Sequence, residues 1–267
     1  MTPDPTLRNR DLEIFQERLA SVGNRFPVTR TLVLVNVLVF IGMVLAGDNP
    51  LSPSGVVAVA WGSNFAPLTL SGQWWRLLTS VFIHFGALHC AVNMWSLYAV
   101  GRLVEPLYGR LSFLTLYLVA GISGSLASVA WNPEVNSAGA SGAVFGVVGG
   151  LLVFMMSPRY GVPRLMMGEV GRSALLIVVI NLGLGASIHG IDNAAHIGGL
   201  VSGLVTGSML ARPLDPDYRR SHPLGGIAMT LLFLGVLLLG GITLLKARAD
   251  VARQAPVSAA QHSQGHA

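Results

Sequence analysis

The sequence predicts an all-α protein that crosses a membrane several times. Of its 267 residues, 52% are hydrophobic and only 11% charged, whereas a soluble domain carries roughly 25% charged residues. Mean hydropathy is +0.62. Seven apolar segments follow a polar beginning, at about 31–47, 84–107, 111–130, 141–157, 172–188, 194–211 and 224–245. Most approach the roughly 20 residues that a spanning helix needs. The basic residues lie between these segments or at their ends, as topology signals do, and no basic patch with interleaved aromatics points to nucleic acid.

Residues 1–30 hold five Arg and four acidic residues and no early apolar run. They read as a cytoplasmic tail rather than a cleavable signal peptide. Leu7, Ile14, Phe15 and Leu19 are compatible with a short amphipathic surface helix. The loops after the second, fourth and sixth segments hold Arg102 and Arg110, then Arg159, Arg164 and Arg172, then Arg212, Arg219 and Arg220. By the positive-inside rule the N-terminus is cytoplasmic. Arg76 is the exception among the outer loops. The first outer loop, 48–83, is long and carries Trp61, Phe65, Trp74 and Trp75, a composition for the headgroup region rather than for water. The fourth segment is short for a full crossing. After the core at 31–211, residues 212–223 read as a cytoplasmic loop, 224–245 as a seventh span, and 246–267 as a disordered polar tail. The one cysteine, Cys90, excludes an internal disulfide and reads as a small buried side chain.

Topology then groups the polar residues. Segments two, four and six run in one direction, so their first residues share a level below the outer surface. They open with His84, His89 and Asn93; with Gly139, Ser141 and Gly142; and with Asp192 and His196. Ionisable groups at membrane depth cost roughly 2.5–3.5 kcal/mol when central and face a bundle interior or a wet cavity. The three clusters are expected to line one cavity open to the outside. Ser141 can be a nucleophile with His196 as its base. His89 and Asn93, four apart on one helix face, can donate to an oxyanion together with the Ser141 N–H. Phe145 can stack on the imidazole. Gly139 gives freedom to the backbone there, Gly142 and Gly146 permit close helix approach, and Gly199-x3-Gly203 does so on the sixth segment.

These residues resemble the rhomboid intramembrane serine proteases over roughly residues 70–210. The resemblance rests on Trp74-Trp75-Arg76, His84-x4-His89-x3-Asn93, Gly139-x-Ser141-Gly142 and Ala195-His196-x-Gly198-Gly199-x3-Gly203. It implies a six-helix core, here with one further C-terminal helix, and a Ser141/His196 dyad that cleaves transmembrane substrates through an acyl-enzyme. His89 and Asn93 would be the oxyanion side chains, His84 a structural histidine near the site, and Glu105 an acidic residue that steadies the fold. Phe145 stands where some members have Tyr. The expected setting is a bacterial cell membrane, with membrane-protein substrates and lipid as partners and no cofactor.

Plainer readings exist for each feature. Ser141 alone is a helix N-cap or packing serine, and His196 alone a hydrogen-bonded interior histidine. His84, His89 and His196 could hold a metal, but no H-E-x-x-H is present and the neighbouring Asn and Ser are poor zinc ligands. Asp192 could orient His196, or simply be solvated. His189 reads as a surface loop residue, and Trp74 and Trp75 as interfacial anchors. The competing function is an inert rhomboid-like protein that binds or extracts membrane helices, which would need neither the serine nor the histidine. A transporter would show related halves with interrupted helices, and none is evident.

Overall fold

A computed structural model of the chain describes residues 5–23, 25–157, 160, 162–187, 191–222 and 224–264. Arg159 and His189 lie outside the described residues. Helix α1 (Pro5–Ser21) precedes α2 (Pro27–Leu45), whose proline stands in the first turn, where its missing N–H costs nothing. The long 48–83 loop is not irregular. It contains α3 (Gly55–Trp61), strand β1 (Asn64–Phe65), α4 (Ala66–Leu70), α5 (Arg76–Thr79) and a 3-10 turn, Ser80–Phe82. Then come α6 (Ala87–Tyr108), α7 (Arg110–Trp131), β2 (Asn136–Ser137), α8 (Ser141–Met156), α9 (Arg164–Ser187), α10 (Asn193–Leu210), α11 (Pro216–Ser221) and α12 (Ile227–Gln264).

By length and composition, α2, α7 and residues Ile227–Ala247 of α12 can each cross a membrane. Arg76–Phe82 and Ala87–Tyr108 meet the same criterion only when taken together, as a pair bent by 93° at its break. Helix α8 is a shorter apolar helix of 16 residues. The chain is an all-α, multi-pass membrane protein. Its apolar exterior supports this: Leu34 and Leu38 on α2, Leu176 and Val179 on α9, and Leu232 and Leu239 on α12 are all exposed. An exposed aliphatic face of that extent is stable against lipid rather than water.

Several expected boundaries shift. His84 stands in the turn before α6 and not inside a helix, because Gly86, at φ +89°, ends the bend and starts α6. Helix α9 begins at Arg164, eight residues before the apolar segment, and Leu165, Met166 and Met167 there are good helix formers. Helix α12 likewise runs on to Gln264 through residues expected to be disordered. Ala, Arg and Gln there favour helix where apolarity has ended. Among the described residues one strand pair stands beside the helices: β1 and β2 pair antiparallel, Asn64 opposite Ser137 and Phe65 opposite Asn136.

The core lies where α6, α7, α8 and α10 meet. Leu97, Val104, Phe113, Leu116, Tyr117, Phe154 and Leu210 are fully buried there. Helix α1 docks on this core through Phe15, so the tail is anchored rather than free. Helix α10 lies between α7 and α8 and packs closely on both, which sets up the candidate site.

Candidate active site

Ser141 is the first residue of α8, with Ala140 before it making no side-chain cap. It is therefore not the N-cap that a lone serine here would be. The N–H groups of the first turn have no partner within the helix, so the Ser141 N–H is available to an anion. The Ser141 hydroxyl lies 2.8 Å from Nε2 of His196, on the first turn of α10. The imidazole is stacked on Phe145 at 4.4 Å between ring centroids and 3° between planes. That stacking fixes the ring plane, and the hydrogen bond fixes its rotation.

The approach of α8 to α10 makes the contact possible. A Cβ on Gly199 would collide with the Gly142 carbonyl oxygen, and one on Gly203 with the Gly146 carbonyl oxygen. The seam continues where the sequence analysis did not follow it. A Cβ on Gly207 would lie 2.8 Å from Gly150 Cα, and the Tyr108 hydroxyl reaches the Gly150 carbonyl at 2.8 Å and the Gly207 carbonyl at 3.2 Å. Gly150 and Gly207 were findable, since each continues the four-residue spacing of its helix. On the far side Gly124 of α7 faces the Ala195 carbonyl, 2.6 Å from a hypothetical Cβ.

His89 comes from the first turn of α6. Its Nδ1 accepts the Phe85 N–H at 3.2 Å, which leaves the ring proton on Nε2 in the neutral imidazole. That nitrogen edges Gly139: a Cβ built on Gly139 would be 3.0 Å from it and 3.8 Å from the Ser141 hydroxyl. Gly139 is at φ +130°, open only to glycine. A donor on His89 thus faces the ground beside the serine. Asn93 is buried one turn on, and its amide nitrogen donates to the His89 carbonyl at 2.9 Å. No described hydrogen bond joins it to Ser141 or His196.

His84 is fully buried, its ring edge-on to His89 at 5.3 Å, with Nε2 3.5 Å from the Ala140 N–H. Asp192 does not orient His196. One carboxylate oxygen caps α10 by accepting the Ala195 N–H at 3.2 Å and takes Asn132 Nδ2 at 3.3 Å. Among the described residues no three His, Cys, Asp or Glu side chains group to hold a metal. The site is nearly closed: His196 is 7% exposed, Asn93 5%, and Ser141 and His89 are half-buried.

Residues 71–213 match the Rhomboid domain family model, more than half the chain. The chain belongs to the rhomboid family. Relatives include rhomboid protease GluP of Bacillus subtilis, 39% identical over 185 residues, covering 69% of this chain and 35% of that protein. RHOMBOID-like protein 4 of Arabidopsis thaliana is 36% identical over 64% of this chain and 43% of its own length. Rhomboid protease AarA of Providencia stuartii is 29% identical over 66% and 69%. This rhomboid chain therefore spans well under half the length of the first two.

The remaining expected residues of this rhomboid chain do not touch the dyad. Glu105 is 1% exposed and receives the Val28 N–H at 3.0 Å and the Thr29 N–H and hydroxyl at 2.7 Å each. It caps the first turn of α2, where a negative charge also meets the positive helix end. Arg76 donates to the Val59 and Ser63 carbonyls at 2.8 and 2.9 Å and to Gln73 at 2.7 Å. It also lies over the Trp75 ring at 4.6 Å. Trp75 and Arg76 thus tie the 48–83 loop together. Trp74, expected as an anchor, receives the Lys246 ammonium of α12 over its ring at 4.6 Å.

Proposed function

We propose that this chain is an intramembrane serine endopeptidase that cleaves peptide bonds in the transmembrane segments of other membrane proteins. Ser141 Oγ attacks the scissile carbonyl while His196 Nε2 takes its proton. The oxyanion is held by His89 Nε2–H, the Ser141 N–H and, after its amide turns from its own helix, Asn93. The proton on His196 passes to the leaving amine, and water hydrolyses the acyl-enzyme. The observation that carries this reading is the 2.8 Å approach of the Ser141 hydroxyl to His196. Relatives named as rhomboid proteases support the same chemistry. A scaffold that only binds or extracts helices requires neither group.

By the arginine distribution, the N-terminal tail and residues 212–223 face the cytoplasm of a bacterial cell. The 31–211 core is the catalytic unit, 224–245 crosses as an appended seventh helix, and the site opens toward the outer side when substrate enters. An intact substrate helix hides its carbonyls in hydrogen bonds. Segments weakened by Gly or Pro, with small residues at the scissile bond, are the expected substrates.

Cleavage of a single-span reporter in liposomes tests this. Ser141→Ala should lower the rate on the order of 10³-fold or more. Cleavage by that variant at the wild-type rate would remove the nucleophile assignment. A fluorophosphonate should label Ser141 in the wild type and not in His196→Ala.

A further inference from the structure

Two of the groups that would bind the oxyanion, the Ser141 N–H and the His89 edge, adjoin one short segment, residues 136–140, which leads into Ser141. Buried polar groups outside the dyad hold that segment from two sides. Asn136 and Ser137 form β2, laddered to β1 of the outer loop. Gly139 donates its N–H to the Ser80 carbonyl at 2.9 Å. The Ser80 hydroxyl lies 3.1 Å from the Ser125 hydroxyl, in the middle of α7. The Ser125 carbonyl accepts Asn64 Nδ2 at 2.8 Å, and Asn64 Oδ1 accepts the Thr69 hydroxyl at 2.9 Å. Asn64 thus meets the strand before Gly139 with its backbone and the helix behind Ser80 with its side chain. Exposures are 1% for Asn64 and Thr69, 3% for Ser80 and 8% for Ser125.

Packing alone does not call for this line of groups, since apolar atoms of the same shape could replace paired donors and acceptors nearly without cost. Gly139 does call for it. With no Cβ to bias its backbone, its peptide needs an external partner to select one orientation. We infer that Asn64, Ser80 and Ser125 are positioning residues that hold the Gly139 peptide, and with it the Ser141 N–H and the His89 edge, where the oxyanion forms. The inference rests on the endopeptidase reading. Preorganised donors are worth most when they need not turn during reaction. Helix α12 backs the same line: Leu237, Leu238 and Ile242 pack with Ala66, Leu126 and Val129, neighbours of Asn64 and Ser125.

The test uses the full chain in liposomes with Asn64→Ala, Ser125→Ala, Ser125→Thr and the exposed control Ser208→Ala. The two disrupting variants should lower kcat about tenfold, the scale of one well-placed hydrogen bond, with KM within about twofold. Ser125→Thr, which keeps a hydroxyl, should restore most of kcat, and Ser208→Ala should change neither. Amide hydrogen exchange over residues 136–140 should accelerate about tenfold in the disrupting variants only. That readout is independent of which residue is the nucleophile, whereas cleavage by Ser141→Ala bears on the endopeptidase reading alone. If Asn64→Ala does not fold, Ser125→Ala decides. Unchanged exchange, or a rise in KM with kcat preserved, would overturn the inference.

Discussion

At the scale of single residues, the site turns on two rings and one glycine. The Phe85 N–H fixes the tautomer of His89 and so aims a donor, while Phe145 fixes the plane of the His196 ring. Gly139 allows the donor to come close. In Gly139→Ala the residue must keep φ +130° and place its methyl 2.9 Å from the His89 ring. Strain of that kind costs about 1–3 kcal/mol. Fluorophosphonate labelling of Ser141 should slow severalfold or more while the melting temperature falls modestly. A labelling rate equal to wild type would mean that His89 does not need its present seat. The meeting of Ser141 with His196 was legible in the sequence because topology put both at one depth, and the Phe145 stack because Phe145 stands one turn after Ser141. The use of the Asp192 carboxylate as a cap was not, since a cap and an orienting acid sit at the same spacing from His196.

At the scale of elements, α8 and α10 meet backbone to backbone along Gly142, Gly146 and Gly150 on one side and Gly199, Gly203 and Gly207 on the other. Any side chain wedged there moves His196 from Ser141. Gly199→Val should destabilise by about 1–3 kcal/mol, the usual cost of overpacking, and remove labelling. Thermal unfolding in a fixed detergent and labelling of the same sample measure the two effects. Glu105 is the corresponding single point for α2. Glu105→Ala leaves two N–H groups and a hydroxyl without their acceptor, for a loss of about 2–3 kcal/mol. Glu105→Gln, with one carbonyl oxygen left, should lose about half that, and equal melting of all three proteins would refute the cap. Helix existence was legible from apolar runs, but helix ends were not. Apolar runs mark where lipid can begin and end, whereas α9 starts earlier on Leu and Met and α12 continues on Ala, Arg and Gln. The elements within 48–83 were hidden because pieces of two to seven residues carry no readable period.

For the whole molecule, the arrangement of arginines predicts the sense in which the bundle sits in its membrane. In a Cys90→Ser background, Ser71→Cys should react with an impermeant maleimide on intact cells, and Arg220→Cys only after permeabilisation. The opposite pattern would invert the orientation and put the site on the cytoplasmic side. Helix α12 reaches the 48–83 loop through Lys246 on Trp74, and helix α1 reaches the core through Phe15, so both helices bear on the bundle between them. The seam between α8 and α10 has a last consequence, for exchange of parts between relatives. A glycine contact has no rotamers with which to absorb a mismatch, so neither helix can be adapted to a foreign neighbour by repacking. A chimaera that imports α10 alone should lose the Ser141–His196 contact even when both side chains are present. One that imports α8 and α10 together carries its own spacing with it. The inheritable unit of this site is a pair of helices rather than a set of residues.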